Sequence, residues 1–246
     1  MEVSADWFKN WFGSPYYHQL YANRNVQEAA SFIKTLVEHL SPPADSFMID
    51  IGCGTGRDTK ILASYGFDVT GIDLSFDNIL EAKNHETDNL HFFQHDMRLP
   101  FWINYFNYAF NLFTNFGYFR TKREHLNAVR TMVNAVKPGG TLIFDYLNVQ
   151  YAEDHLEAKT YEEVDGSKFN LTRWHDKLHF YKEITIENEE LKEPLVYVEK
   201  VAKLTLQDFN EMFTFHQLEL LQVYGDYQLN KYDEKLSPRL VMVAGK

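Results

Sequence analysis

The chain holds 246 residues, 45% of them hydrophobic and 24% charged, which excludes a disordered or fibrous protein. That length suits one large α/β domain, or one domain carrying a sizeable insertion. Its 24 Lys and Arg against 35 Asp and Glu leave a net charge of −11, which argues against a broad grip on nucleic-acid phosphates. The single cysteine, Cys53, excludes an internal disulfide and fits a reducing compartment. No apolar run reaches the ~20 residues that span a bilayer. Residues 1–6 lack the basic and apolar regions of a signal peptide, so the expectation is a soluble, cytoplasmic protein.

The first 24 residues read as irregular and aromatic, with Trp7, Phe8, Trp11, Phe12, Tyr16, Tyr17 and Tyr21. Asn25 can then cap a helix with Glu28 at its third position, and Val26, Ala30, Ile33, Val37 and Leu40 recur at helical spacing until Pro42 and Pro43 stop it. From there strand and helix alternate, as in a parallel sheet of βαβ units. Phe47 to Ile51 is a short apolar strand, followed by a glycine turn and a helix ending near Gly66. Phe67 to Asp73 is the second strand, Ser75 caps the next helix, Leu90 to Gln94 is the third strand, and Tyr105 to Leu112 the fourth. Thr121 and Glu124 form a capping box for a helix whose inner face holds Leu126, Val129, Met132, Val133 and Val136. Pro138-Gly139-Gly140 turns the chain into a strand from Thr141 to Tyr146.

Beyond about residue 150 the pattern changes. Alternating segments at 168–174, 178–184 and 195–206 with short connections predict a small antiparallel sheet. A helix near Asp208 to Gln217 and strands from Glu219 to Tyr224 and Arg239 to Ala244 follow; these last strands pair as an antiparallel edge of the main sheet. The expected fold is therefore a Rossmann-like, mostly parallel seven-stranded sheet with an antiparallel edge strand. Residues 25–150 and 205–246 would form its body, 151–204 an inserted antiparallel β cap for substrate, and 1–24 an aromatic N-terminal flap.

The chemistry concentrates in Met48-Ile49-Asp50-Ile51-Gly52-Cys53-Gly54-Thr55-Gly56-Arg57-Asp58, a buried strand running through a glycine turn into a helix. Glycines there allow unusual dihedrals and a close ligand, and the helix N–H groups face it. Seventeen positions beyond Gly56, Asp73 ends the second strand, where a carboxylate can accept both hydroxyls of a ribose. Nicotinamide and flavin sites favour G-x-G-x-x-G. Here Gly52, Gly54 and Gly56 form G-x-G-x-G preceded by Asp50, an acid better suited to a ligand with a cationic amino group such as S-adenosylmethionine.

These residues resemble the class I S-adenosylmethionine-dependent methyltransferases, over roughly residues 47–147 and with the closing strands consistent. The resemblance makes Asp50 to Gly56 the first motif, so Asp50, Gly52, Cys53, Gly54 and Gly56, with the adjoining Arg57, are candidates for cofactor contact. It makes Asp73 the ribose acid, with Leu74 beside it. In Gln94-His95-Asp96-Met97-Arg98 it implies that Asp96 takes the adenine amino group, assisted by the Met97 backbone. In the fourth-strand motif it implies that Leu112 and Phe113 line the cofactor pocket, and Lys137-Pro138-Gly139-Gly140 resembles the turn before the fifth strand. Asn107 departs from the acid many relatives carry, at a position that supports structure. Asn111-Leu112-Phe113-Thr114 is not the Asn/Asp-Pro-Pro-aromatic tetrad of enzymes that methylate nucleic-acid amines, a further argument against DNA or RNA. Relatives with Tyr-rich N-terminal segments close their pockets with them, which makes Tyr16 and Tyr21 candidates to face the sulfonium.

Methyl transfer from a sulfonium is an in-line displacement at an activated carbon, so a dedicated base is optional and no catalytic residue is assigned. No Ser/His/Asp or paired-carboxylate pattern is evident. His175 and His179 stand four apart outside any zinc motif, so no metal is expected. The cap supplies Arg173, Trp174, His175, Tyr181 and Tyr197, each read singly as packing; His18, Tyr227 and Arg239 are the candidates for substrate contact. The functional expectation is methyl transfer to an oxygen or nitrogen of a small molecule. Competing readings are a protein or tRNA methyltransferase, a noncatalytic cofactor-binding module and, disfavoured by glycine spacing, a nicotinamide oxidoreductase.

Overall fold

A computed structural model describes residues 7–21 and 26–246. The expected cap at Asn25, and residues 1–6 and 22–24 of the aromatic segment, lie outside the described residues. The described aromatic segment is not irregular: it forms two short helices, α1 (Trp7–Phe12) and α2 (Pro15–Tyr21), because Trp7, Phe8, Trp11 and Leu20 recur on one side and are all buried. Helix α3 (Val26–Leu40) follows. It buries Ala29, Phe32, Ile33 and Leu36; of the expected stripe Ile33 is buried, Ala30, Val37 and Leu40 are partly buried, and Val26 is exposed. The four buried residues are an i, i+3, i+4, i+7 set that contains the bulky Phe32, and that set fixes the helix's rotation.

Then come β1 (Phe47–Ile51), α4 (Arg57–Ser64), β2 (Asp68–Asp73), α5 (Phe76–Ala82), β3 (Leu90–Gln94), β4 (Phe106–Asn111), α6 (Lys122–Ala135) and β5 (Val136–Leu147). Ser75 caps α5, and Thr121 with Glu124 makes both bonds of a capping box on α6. Helix α7 (Val149–Asp154) leads to a second sheet of β6 (Lys159–Val164), β7 (Ser167–His175), β8 (His179–Glu187) and β9 (Leu195–Ala202), an antiparallel meander. The chain closes with α8 (Leu206–Phe215), β10 (Glu219–Tyr224) and β11 (Arg239–Gly245).

The seven-stranded sheet runs β10-β11-β5-β4-β1-β2-β3, parallel from β5 to β3. β11 is antiparallel to both β5 and the edge strand β10, giving the mostly parallel sheet with an antiparallel edge pair that the sequence implies. Alternate strand residues face opposite ways. Ile49, Ile51, Phe144 and Met242 join α6 and α8 in one core, while Met48, Ile143 and Val241 join Phe32, Ile33 and Leu36 of α3 in another. The first core also takes in Trp11 and the inner residues of the second sheet, Phe169, Leu171, Ile184 and Ile186, so the added sheet and the N-terminal helices pack as part of the body. Asn107 ties strands together, its Oδ1 accepting from the Phe47 N–H and from Lys137.

Strand order reverses at β1, which has β2 on one side and β4 on the other. In open α/β sheets, the crevice beyond the strand carboxyl ends at such a reversal is where ligands bind. No described helix is long and apolar enough to cross a membrane.

Candidate active site

A cavity of about 560 Å³ opens at that reversal, within the range of small-molecule sites. Its floor comes from strand ends: Gly52 and Gly54 after β1, Asp73 to Asn78 after β2, Gln94 to Met97 after β3, and Asn115 beyond β4. The opposite wall comes from the N-terminal helices, through Phe8, Phe12, Gly13 and Tyr17, together with Tyr118 and Phe119.

The turn after β1 needs its glycines for two different reasons. Gly54 has φ +56°, and a Cβ there would meet nothing within 4 Å, so the missing side chain is cavity space. Gly56 has φ +81°, and a Cβ there would stand 2.5 Å from Cζ of the buried Phe92, so the missing side chain is packing room. This geometry aims the Gly54 N–H at Asp73 Oδ2, 3.0 Å away, while the Ser75 N–H donates to Oδ1 at 2.8 Å. Burial pushes the Asp73 carboxyl up, and these two N–H bonds oppose it. A carboxylate has about four acceptor positions. Two are set by backbone and a third, on Oδ1, is held only by a long 3.5 Å contact from Asn78 Nδ2, so Oδ2 keeps an open position and Oδ1 a weakly held one for hydroxyl donors in the cavity.

Asp50 is not on the cavity wall. It is 1% exposed, and its Oδ2 accepts from the Thr59 hydroxyl at 2.6 Å. Burial first, then repulsion by Asp58, push its carboxyl up to about 7, against the Thr59 bond and the Arg57 charge. Through Thr59 it anchors the first turn of α4 to β1. Cys53 is likewise a backbone element: its N–H donates to Ile72 and its carbonyl accepts from Gly56, while the thiol is buried and raised by that burial. Arg57 is engaged by Asp58 (2.7 and 3.1 Å) and lies over the Phe113 ring at 4.6 Å.

Asp96, Met97 and Leu74 do line the cavity. Burial raises the Asp96 carboxyl, but the side-chain and backbone bonds from Arg98 outweigh it and hold Asp96 below the ordinary carboxylate range. Arg98 also bridges to Glu124 at 3.0 Å, so the carboxylate is fixed in place. Leu112 and Phe113 do not line the cavity, contrary to expectation. Leu112 is core, and Phe113 and Thr114 adopt φ +57° and +61°. Two successive left-handed residues cost about 1–2 kcal/mol each. They are held by Asp145, whose Oδ2 accepts the Phe113 N–H at 2.7 Å and whose carbonyl accepts the Thr114 N–H. This twist turns Phe113 toward Phe32 and brings Asn115 to the cavity, its Nδ2 donating to the Gly52 carbonyl at 2.7 Å.

A family model described as a methyltransferase domain matches residues 21–188 of this chain. The chain belongs to that family. The dTDP-3-amino-3,4,6-trideoxy-α-D-glucopyranose N,N-dimethyltransferase of Streptomyces venezuelae is 31% identical over 132 residues, 52% of this chain and 54% of that protein. The matched stretch thus spans about half the length of the curated relatives. An S-adenosylmethionine-dependent methyltransferase from Clostridium acetobutylicum superposes with a TM-score of 0.78 at 16% identity, over 94% of this chain and 95% of that one. An amino pentose methyltransferase from Micromonospora echinaspora, solved with S-adenosylmethionine bound, gives 0.70 at 20% identity over 94% and 96%. The fold is that of class I S-adenosylmethionine-dependent methyltransferases. The cavity suits that cofactor in size, in the open space at Gly54 and in the acceptor positions of Asp73 that face it.

The aromatic candidates distribute differently from expectation. Tyr17, between the two expected tyrosines, lines the cavity. Tyr16 packs against the main core, and the Tyr21 hydroxyl donates to Glu199 Oε1 at 3.0 Å and meets Lys182 on the second sheet. His18 lies on α2 beside Tyr17 and does not line the cavity. Tyr227 and Arg239 serve a buried carboxylate. Asp145 is 0% exposed, its Oδ1 accepts from Arg239 Nε at 2.9 Å, and its Oδ2 accepts from the Tyr227 hydroxyl at 3.2 Å. An unpaired charge there would be costly, so both residues are held by Asp145. Phe8, Phe12 and Tyr17 belong to the expected aromatic flap but were not singled out within it. Sequence reasoning missed Asn115, whose one local signal is a polar residue just past an apolar strand. Among the described residues, no group of three or more His, Cys, Asp or Glu is placed to hold a metal ion.

Proposed function

We propose that this protein methylates an oxygen or nitrogen nucleophile of a small molecule with S-adenosylmethionine as methyl donor. The observation that carries the reading is the Asp73 carboxylate, locked by two backbone N–H groups on the wall of the cavity at the strand-order reversal. When bound, S-adenosylmethionine supplies a methyl group on a sulfonium, already activated for displacement. The protein's share is then alignment and exclusion of water. Asp73 would accept the ribose hydroxyls, and Asp96 and the Met97 backbone would meet the adenine edge. Phe12 and Tyr17 would cover the cavity, with the N-terminal helices as a lid and the second sheet as a cap over the acceptor.

A small-molecule acceptor is supported by the names of relatives, which act on an amino sugar or in ubiquinone biosynthesis. The acidic surface disfavours nucleic acid. The lone buried thiol of Cys53 suits a reducing compartment, so we place the protein in the cytoplasm.

Titration calorimetry with S-adenosylhomocysteine tests the reading. Wild-type protein should bind, and Asp73→Ala should bind about a hundredfold or more weakly. It loses two hydrogen bonds to a charged group, each worth roughly 1.5–3 kcal/mol. Unchanged affinity in a folded variant would overturn the ribose assignment, and no binding by wild type would overturn the cofactor reading.

A further inference from the structure

We propose that the acceptor site is a second cavity, of about 460 Å³, between the second sheet and the start of β11, and that it takes a small molecule bearing a carboxylate or phosphate held by Arg173. This rests on the methyltransferase reading and adds to it the acceptor's location and charge.

Two chains of contacts link the second cavity to the first. Glu199 lines it and accepts from the Tyr21 hydroxyl, and the Tyr21 ring packs 4.8 Å from that of Tyr17, which lines the first cavity. On another side Arg239 lines it and donates from Nη2 to Thr114 Oγ1 at 2.9 Å, next to Asn115 of the first cavity. The Tyr17–Tyr21 pair and the Thr114–Arg239 contact stand between the two cavities, and the reactive end of a molecule seated there must pass them to meet the methyl donor. Tyr151 and Phe180 give this cavity an aromatic wall suited to a planar or hydrocarbon body.

Three cations line it, and they are not equivalent. Arg239 is paired with the buried Asp145 at 2.8 Å. Lys182 stands 3.8 Å from Glu199 and meets the Tyr21 hydroxyl. Arg173 differs from both. Its Nη1 donates to Thr160 Oγ1 at 2.8 Å and to the Glu157 carbonyl at 3.4 Å, both neutral acceptors. Among the described residues no carboxylate stands within 4 Å of this guanidinium, and its Nε and Nη2 donate to no described group. That pair of nitrogens is the fork that grips a carboxylate or phosphate in two parallel bonds. A half-buried guanidinium oriented by neutral acceptors, with its fork unengaged on a cavity wall, is a site for an anion from outside the chain.

The test uses benzoate, phenyl phosphate and the neutral benzyl alcohol on the full chain saturated with S-adenosylhomocysteine. Binding is followed by calorimetry and by the arginine Nε–H NMR signals. At least one anion should bind saturably, shift the Arg173 signal and bind tenfold or more tightly than benzyl alcohol; which one binds separates a carboxylate from a phosphate acceptor. Arg173→Gln should reduce that affinity to the level of the alcohol, and Arg173→Lys, which keeps charge without the fork, should fall between. Both variants should keep wild-type affinity for S-adenosylhomocysteine, showing that they are folded. Binding of neither anion, or anion binding indifferent to Arg173→Gln, would overturn the proposal. Failure of wild-type protein to bind S-adenosylhomocysteine would instead overturn the methyltransferase reading, and the anion titration without it would still report on Arg173.

Discussion

The two cavities are built by different means. In the first, the decisive carboxylate is held by main-chain N–H groups of Gly54 and Ser75, and the opening is set by the dihedrals of a glycine turn. In the second, the walls are joined by side chains from distant parts of the chain. Trp11 donates to Glu199 across 188 positions, Tyr21 to the same carboxylate across 178, and Arg239 to Asp145 across 94. The N–H groups that hold Asp73 do not depend on side-chain identity, so the position of that carboxylate tolerates change in the side chains around it. A side-chain site changes its ligand when a few residues change. One molecule thus carries a cavity fixed by main chain beside one defined by side chains.

Substitutions can break that contrast or sharpen it. The largest effect is expected at Gly56, where valine would combine a left-handed backbone with overlap on Phe92. About 1–2 kcal/mol of backbone strain and about 1–3 kcal/mol of overpacking should cost roughly 2–5 kcal/mol of stability, read by denaturant unfolding. Gly54→Val should behave differently, since its side chain enters open cavity space. The variant should fold but lose about a hundredfold or more in affinity for S-adenosylhomocysteine; retained affinity would show that the turn does not face the ligand.

Glu199→Ala probes the link between the cavities. It removes the acceptor for both Trp11 and Tyr21 and loosens the N-terminal helices over the donor cavity. S-adenosylhomocysteine should dissociate about tenfold faster, a loss of about 1.4 kcal/mol, and Glu199→Gln, which keeps an acceptor oxygen, should stay close to wild type. Equal dissociation rates in all three proteins would mean that the helices do not close the cavity.

The last effect concerns pH. Asp50 is raised from an unfolded value of 3.8 to about 7, so between those values the folded state binds its proton more tightly than the unfolded chain does. This group's contribution to stability is therefore fully present below about pH 4, falls as pH rises toward 7, and is absent above that. Asp50→Asn should flatten that slope in thermal melts from pH 5 to 8 while keeping an acceptor for Thr59. An unchanged slope would assign the pH dependence to other groups.

What could be read from the sequence follows the same contrast. The glycine turn, Asp73, Ser75 and the Thr121–Glu124 box are settled within a few residues, so spacing alone located them. The choice among Tyr16, Tyr17 and Tyr21 was not settled locally, because the rotation of α2 depends on Leu20 packing in the core and Tyr21 reaching Glu199. Tyr227 and Arg239 looked free for substrate only because their partner, Asp145, lies more than eighty positions away. Leu112 and Phe113 were misplaced by a left-handed turn at two non-glycine residues, which no local propensity signals. Asp50 was correctly singled out as unusual, but its neighbour is Thr59 rather than the cavity.

The most direct measurement is a crystal structure of the protein with S-adenosylhomocysteine. The account expects both ribose hydroxyls within hydrogen-bond distance of the two Asp73 oxygens, the adenine beside Asp96 and Met97, and the Gly54 N–H still on Asp73. A nucleoside bound with its sugar away from Asp73, or outside the cavity between the strand ends and the N-terminal helices, would contradict it.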